Sequence, residues 1–234
     1  MHTRALLFDF DGTVVDTEVP AFRAWQEVYE RHGHVLSVDE WSSCVGTLGG
    51  FEPLDHLEGL LGRALDRHSV DAARYRRKLE LVSRESLRRG LEGYLSRAAG
   101  LGISVAIVSS GETAWITSNL DRLGRSEGWA CINCADGNTA RAKPLPCLYE
   151  EALDALSVAA DEAVVFEDSP NGIRAAKAAG LFCVAVPNPV TSALDLSEAD
   201  LLLTSFEEMS LDDVLAQAGR GKILGAVARE EEPE

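Results

Sequence analysis

The chain has 234 residues, enough for one large domain or for a domain that carries a second. Its 22 basic and 38 acidic residues give a net charge of −16, which argues against a binder of nucleic acid polymers, since phosphate backbones are held by concentrated Lys and Arg. No apolar run approaches the roughly 18–20 residues of a membrane span, so no membrane partner is expected. The opening MHTRALLFDF lacks the parts of an export signal. The 5 cysteines, Cys44, Cys131, Cys134, Cys147 and Cys183, do not read as a disulfide framework. A reducing cytoplasm is the expected setting. Cys131 and Cys134 have half the spacing of a zinc knuckle, but no second pair completes it.

In chain order, residues 4–8 predict a first strand, an apolar run suited to burial on both faces. It stops at Asp9-Phe10-Asp11-Gly12-Thr13. From Pro20 the period becomes helical through Phe22, Trp25, Tyr29 and His32, and Gly33 ends it. Ser37 to Glu40 has capping-box spacing and starts a short helix. Gly46-Thr47-Leu48-Gly49-Gly50 reads as a loop. Leu54, Leu57, Leu61 and Leu65 mark a third helix, and Ala72, Tyr75, Leu79 and Val82 a fourth. The stretch from 17 to about 89 is thus expected to be all helical.

Beyond Gly90 strands and helices alternate. Helices are expected over 91–101, through Trp115 and Leu120, over 147–156, 173–179 and 211–218. Strands are expected over 103–108, 130–133, 163–166, 182–186 and 201–203. This alternation predicts an α/β fold with a doubly wound, parallel, Rossmann-like sheet. The core is residues 1–16 plus 90–234, and residues 17–89 form an inserted helical cap domain. The acidic end, 229–234, reads as a frayed tail.

In such sheets ligands bind at the carboxyl ends of the strands. Three predicted strand ends carry Asp9 and Asp11, Ser109, and Glu167 and Asp168, and Lys143 precedes a helix. Carboxylates gathered there repel unless a cation lies between them, and hard oxygen ligands suit Mg²⁺. Metal and lysine together neutralise a phosphoryl group. One carboxylate can then attack phosphorus, and a second, two residues on, can serve as acid and base. Ser109 and the N–H groups after it can bind phosphoryl oxygens. Taken singly, each group has a plain structural reading as a turn, a surface lysine or a helix cap. Together, at strand ends of one sheet, they point to phosphoryl chemistry.

The residues that carry this chemistry also resemble a known family. Asp9-Phe10-Asp11-Gly12-Thr13-Val14-Val15-Asp16-Thr17-Glu18 is similar to the nucleophile motif of the haloacid dehalogenase superfamily. Val108-Ser109-Ser110, Lys143-Pro144-Leu145-Pro146 and Glu167-Asp168-Ser169-Pro170-Asn171-Gly172-Ile173 resemble its second, third and fourth motifs. The match runs in order over 4–187 and looks like the branch of β-phosphoglucomutase and sugar-phosphate phosphatases. The resemblance implies Asp9 as nucleophile and Asp11 as acid/base. It implies Mg²⁺ held by Asp9, the Asp11 carbonyl and Asp168 with Glu167 assisting, and a phosphoryl group held by Ser109, Ser110 and Lys143. Gly46, Thr47, Gly49 and Gly50 of the cap, with the helices bearing Trp25 and Tyr75, would set substrate specificity.

Departures from the branch narrow the reading. Asp11 disfavours dehalogenation, because dehalogenases of the superfamily lack an acid there. Ala21 and Gly49 stand where the mutases carry His and Arg. Cys147 stands where an Asp is usual, expected as the cap of the following helix. The favoured function is a Mg²⁺-dependent phosphatase that acts on a small, sugar-like phosphomonoester through an aspartyl-phosphate. The alternatives are a phosphosugar mutase and a non-catalytic phosphate-binding protein.

Overall fold

A computed structural model describes residues 3–42 and 51–219. Cys44, the loop with Gly46, Thr47, Gly49 and Gly50, and the acidic tail lie outside the described residues. The chain opens with β1 (Ala5–Phe8), buried at every residue. It pairs in parallel with β2 (Ser104–Ser109) on one side and β4 (Ala163–Glu167) on the other. β3 (Cys131–Cys134) extends the sheet past β2. β5 (Phe182–Ala185) and β6 (Leu201–Leu202) extend it past β4, giving the order β3-β2-β1-β4-β5-β6. Direction reverses beside β1, so the crevice of the fold opens at the end of that strand.

Side chains alternate across β1. Leu6 and Phe8 face a cluster with Leu91, Tyr94 and Ala98 of α5 (Leu91–Leu101) and Ile116 and Leu120 of α6 (Thr113–Arg122). Phe8 stacks on Phe166 with ring centroids 4.8 Å apart. Ala5 and Leu7 face the opposite cluster, with Leu148 and Ala152 of α7 (Cys147–Leu156) and Ile173 and Ala176 of α8 (Pro170–Ala178). The last described helix, α9 (211–219), packs on the first face. Both faces are covered, which is why β1 and β4 carry no polar residue before their ends.

Between β1 and α5 the chain makes α1 (Glu18–Arg31), α2 (Val38–Ser42), α3 (Pro53–Leu61) and α4 (Arg67–Val82). These build a separate cluster around Phe22, Trp25, Tyr29, Leu36 and Leu57. The Tyr29 hydroxyl donates to the Pro53 carbonyl at 2.8 Å. Outgoing and returning chains are tied together: Val15 and Leu87 form an antiparallel bridge, and Arg88 N–H donates to Val14 O at 2.9 Å. Residue 87 is therefore strand-like, where only helix was expected.

Several boundaries differ from the expected ones, and at three helix ends the reason is local. α1 begins at Glu18, because the Asp16 carboxylate accepts from Val19 N–H at 3.0 Å and Pro20 needs no donor in a first turn. α3 ends at Leu61, short of Leu65, because Gly62 turns left-handed at φ 64°. α8 begins at Pro170, because the Ser169 hydroxyl accepts from Gly172 N–H at 3.1 Å. Among the described residues no helix is long and apolar enough to cross a membrane.

Candidate active site

Register fixes the site. Phe8 lies opposite Ile107 and Phe166, so Asp9, Ser109, Glu167 and Asp168 emerge together at one edge of the sheet. Lys143 comes from the loop before α7. Its Nζ donates to Asp9 Oδ1 at 2.5 Å, to Glu167 Oε1 at 2.6 Å and to Val108 O at 2.7 Å, so all three ammonium donors are used. Burial alone would lower its pKa, but the two carboxylates outweigh that and hold it above the ordinary lysine value. Glu167 is fully buried. Its Oε1 also accepts from the Tyr149 hydroxyl at 2.7 Å, and its Oε2 from Asp168 N–H and the Ser169 hydroxyl. A β-carbon on Gly172 would fall 1.9 Å from the Glu167 carboxyl carbon, so a glycine is required beside it.

Asp9, Glu167 and Asp168 each offer an oxygen within 4.8 Å of the others. Burial pushes the pKa of Asp9 and Asp168 up, and their carboxylate neighbours add to that. Lys143 offsets part of it at Asp9. Asn188 Nδ2 holds Asp168 Oδ2 at 2.7 Å. A buried set of hard oxygen donors that repel one another fits a divalent cation of the Mg²⁺ type. This cluster could hold such an ion.

Asp11 is half-buried. Its Oδ1 accepts from the Thr17 hydroxyl at 2.7 Å and from Trp115 Nε1 at 2.8 Å. Ser109 is buried, and its hydroxyl accepts from Gly111 N–H at 2.9 Å. The Ser110 hydroxyl accepts from Lys143 N–H at 3.1 Å. A cavity of about 310 Å³ joins these groups, with Asp9, Asp11, Ser109, Ser110, Lys143 and Asp168 all on its wall. Glu18 lines it too, and burial pushes its pKa up to about 7, with Lys78 opposing and Asp11 and Asp16 adding.

Every candidate from the core motifs therefore gathers at one crevice. The two aromatic candidates do not. Trp25 is buried in the helical cluster under Arg74, and Tyr75 is 48% exposed, neither on the cavity wall. Position 147 is the first residue of α7, and Pro146 is its N-cap without a side-chain acceptor, so an Asp there would not be the cap residue. Cys131, Cys134, Cys147 and Cys183 are free thiols. Sequence reasoning missed Tyr149, Asn188, Trp115, Glu18 and Arg88. The Arg88 guanidinium donates to the Gly12 carbonyl and, at 2.8 Å, to Pro187 O. Two of these carried a positional signal: Glu18 closes the nucleophile motif, and Asn188 lies just past the end of β5.

Parallel strands with acids and a buried lysine at their carboxyl ends define an α/β enzyme core with a polar crevice. Residues 3–180 match the family model described as haloacid dehalogenase-like hydrolase. The YhcW protein of Bacillus subtilis is 38% identical over 208 residues, covering 89% of this chain and 94% of that one. The validoxylamine A 7'-phosphate phosphatase of Streptomyces hygroscopicus subsp. limoneus is 31% identical, covering 88% and 95%. A crystal structure of mutant CbbY from Rhodobacter sphaeroides with xylulose-(1,5)bisphosphate superposes with a TM-score of 0.66 at 30% identity, covering 89% and 96%. The chain belongs to the haloacid dehalogenase-like hydrolase family.

Proposed function

We propose that this protein is a Mg²⁺-dependent phosphatase that hydrolyses a small, sugar-like phosphomonoester through a phosphoryl group carried on Asp9. The observation that carries the reading is the charge of the crevice. Asp9, Asp11, Glu18 and Asp168 line the crevice with a single lysine, Lys143, whose ammonium Asp9 and Glu167 already hold, so a phosphate dianion is repelled until a cation is added. Asp9, the Asp11 carbonyl and Asp168 would hold Mg²⁺, with Glu167 assisting mainly by fixing Lys143. The bound ion supplies charge neutralisation and orientation of the phosphoryl group.

The chain's own groups do the rest. Lys143 holds Asp9 Oδ1, and Oδ2 accepts no hydrogen bond from the described residues. An Asp9 oxygen attacks phosphorus, and the bond to the ester oxygen breaks. Asp11, entering in its protonated form, gives that oxygen its proton, then as carboxylate takes one from the water that hydrolyses the acyl-phosphate, releasing inorganic phosphate and returning the Asp9 carboxylate and a reprotonated Asp11. Ser109, Ser110 and nearby N–H groups hold the remaining phosphoryl oxygens. Asn138, Thr139 and Asn171 on the same wall suit a hydroxylated substrate, and the cavity volume suits a small one.

Residues 17–89 are the cap in this reading, and 1–16 with 90–234 the catalytic core. A mutase must hold a second phosphate while its intermediate turns round. Ala21, where the mutases have His, is buried in the helical cluster and offers no polar group. The free thiols accord with a cytoplasmic setting.

The test is phosphate release from a panel of phosphomonoesters, with and without chelator. Release that needs Mg²⁺ is expected, without glucose 6-phosphate from β-glucose 1-phosphate. Formation of glucose 6-phosphate faster than phosphate would replace the reading with a mutase.

A further inference from the structure

Trp115 lies in the first turn of α6, and its indole N–H donates to Asp11 Oδ1 at 2.8 Å. A covered indole N–H needs an acceptor, and a backbone carbonyl commonly serves, as Arg125 O serves Trp129 at 2.9 Å. At Trp115 the acceptor is instead the carboxylate assigned to proton transfer. The ring is fixed from its other sides. Lys78 Nζ of α4 stands 5.3 Å over its centroid, and the backbone that carries the ring is held where Asn119 Nδ2 donates to Trp115 O at 3.0 Å.

The bond matters through the oxygen it selects. Thr17 donates to the same Oδ1 at 2.7 Å, so both donors converge on one oxygen of Asp11. The other, Oδ2, accepts no hydrogen bond among the described residues. It lies on the side of Gly111 and Ser109, where a β-carbon on Gly111 would fall 3.3 Å from Oδ2 and 3.2 Å from Ser109 Oγ. With one donor the carboxylate can still rotate about its Cβ–Cγ bond. With two on Oδ1, the free oxygen is left facing the phosphoryl pocket.

We infer that Trp115 is a positioning residue for Asp11: its indole N–H, with Thr17, occupies Oδ1 so that Oδ2 alone carries the proton to and from the substrate side. This inference rests on the acid/base reading of Asp11. Orientation of a catalytic group is worth about 10-fold or more in rate.

The experiment compares kcat/KM for an alkyl phosphomonoester, whose leaving oxygen needs a proton, with p-nitrophenyl phosphate, whose leaving group does not. Trp115→Phe is expected to lose about 10-fold on the alkyl ester and under about 3-fold on the activated one. In an Asp11→Asn background the same change should cost nothing further. If Trp115→Phe does not fold, benzothienylalanine at position 115 keeps the bicyclic ring and removes the N–H, with the same expected split. Equal losses on both esters, or a further loss in the Asp11→Asn background, would overturn the positioning role. If Asp11→Asn alone shows no split, the acid/base reading of Asp11 fails instead, so the two failures are distinguishable.

Discussion

Gly12 and Asp168 compete for one space: a β-carbon on Gly12 would fall 2.0 Å from Asp168 Oδ2. Gly12 also sits at φ +94°, a conformation that L side chains rarely adopt. This glycine, the fourth residue of the β1–α1 link, thus lets the carboxylate just past β4 reach the acidic cluster. Gly12→Ala must push that carboxylate aside. Its Mg²⁺ half-saturation concentration, read from activation titrations, should rise about 10-fold or more. An unchanged value would remove Asp168 from the metal-holding set.

Glu18 gives the site a pH signature. Its folded pKa is raised from 4.5 to about 7, first by burial. The fold therefore favours the protonated form. The stability this contributes is fully present below 4.5 and is lost as pH rises through about 7. Thermal midpoints of the metal-free protein should fall across that window, and the fall should be shallower in Glu18→Gln. Parallel curves for the two proteins would show that Glu18 is not titrating there.

Cys147 marks a correctable defect. α7 begins with no side-chain cap, and Cys147 is its first residue. An Asp at that place would favour the helix dipole by about 0.3–1 kcal/mol. Cys147→Asp should raise the thermal midpoint by about 1–3 °C and leave turnover unchanged. Loss of turnover would give the thiol a role in the reaction.

Most of the core was legible because its signals are local. Ala5 to Phe8 and Ala163 to Phe166 are short apolar runs that end in charge, as suits a strand buried on both faces. Gly90 and Gly102 bracket α5, and the expected bounds of α5 and α7 match the observed ones. The leucine period through Leu65 misled, because it continues past the turn at Gly62. The site's acids were legible as strand ends. Their holders were not: Tyr149 reaches Glu167, Asn188 reaches Asp168 and Trp115 reaches Asp11 across 18, 20 and 104 residues of sequence. Such bonds depend on register and helix rotation, which no local pattern encodes. Trp25 and Trp115 have the same aromatic, helical signature, yet one fills the helical cluster and the other holds a carboxylate.

The central claim is that Asp9 carries the phosphoryl group. Acid quench during turnover, followed by peptide mapping, should find phosphate on Asp9 and on no other residue, with hydroxylamine trapping the same position as its hydroxamate. Asp9→Asn should fold, still bind inorganic phosphate and lose turnover by several orders of magnitude. Phosphate on a different residue, or an Asp9→Asn enzyme that keeps more than about a tenth of the wild-type rate, would contradict the account.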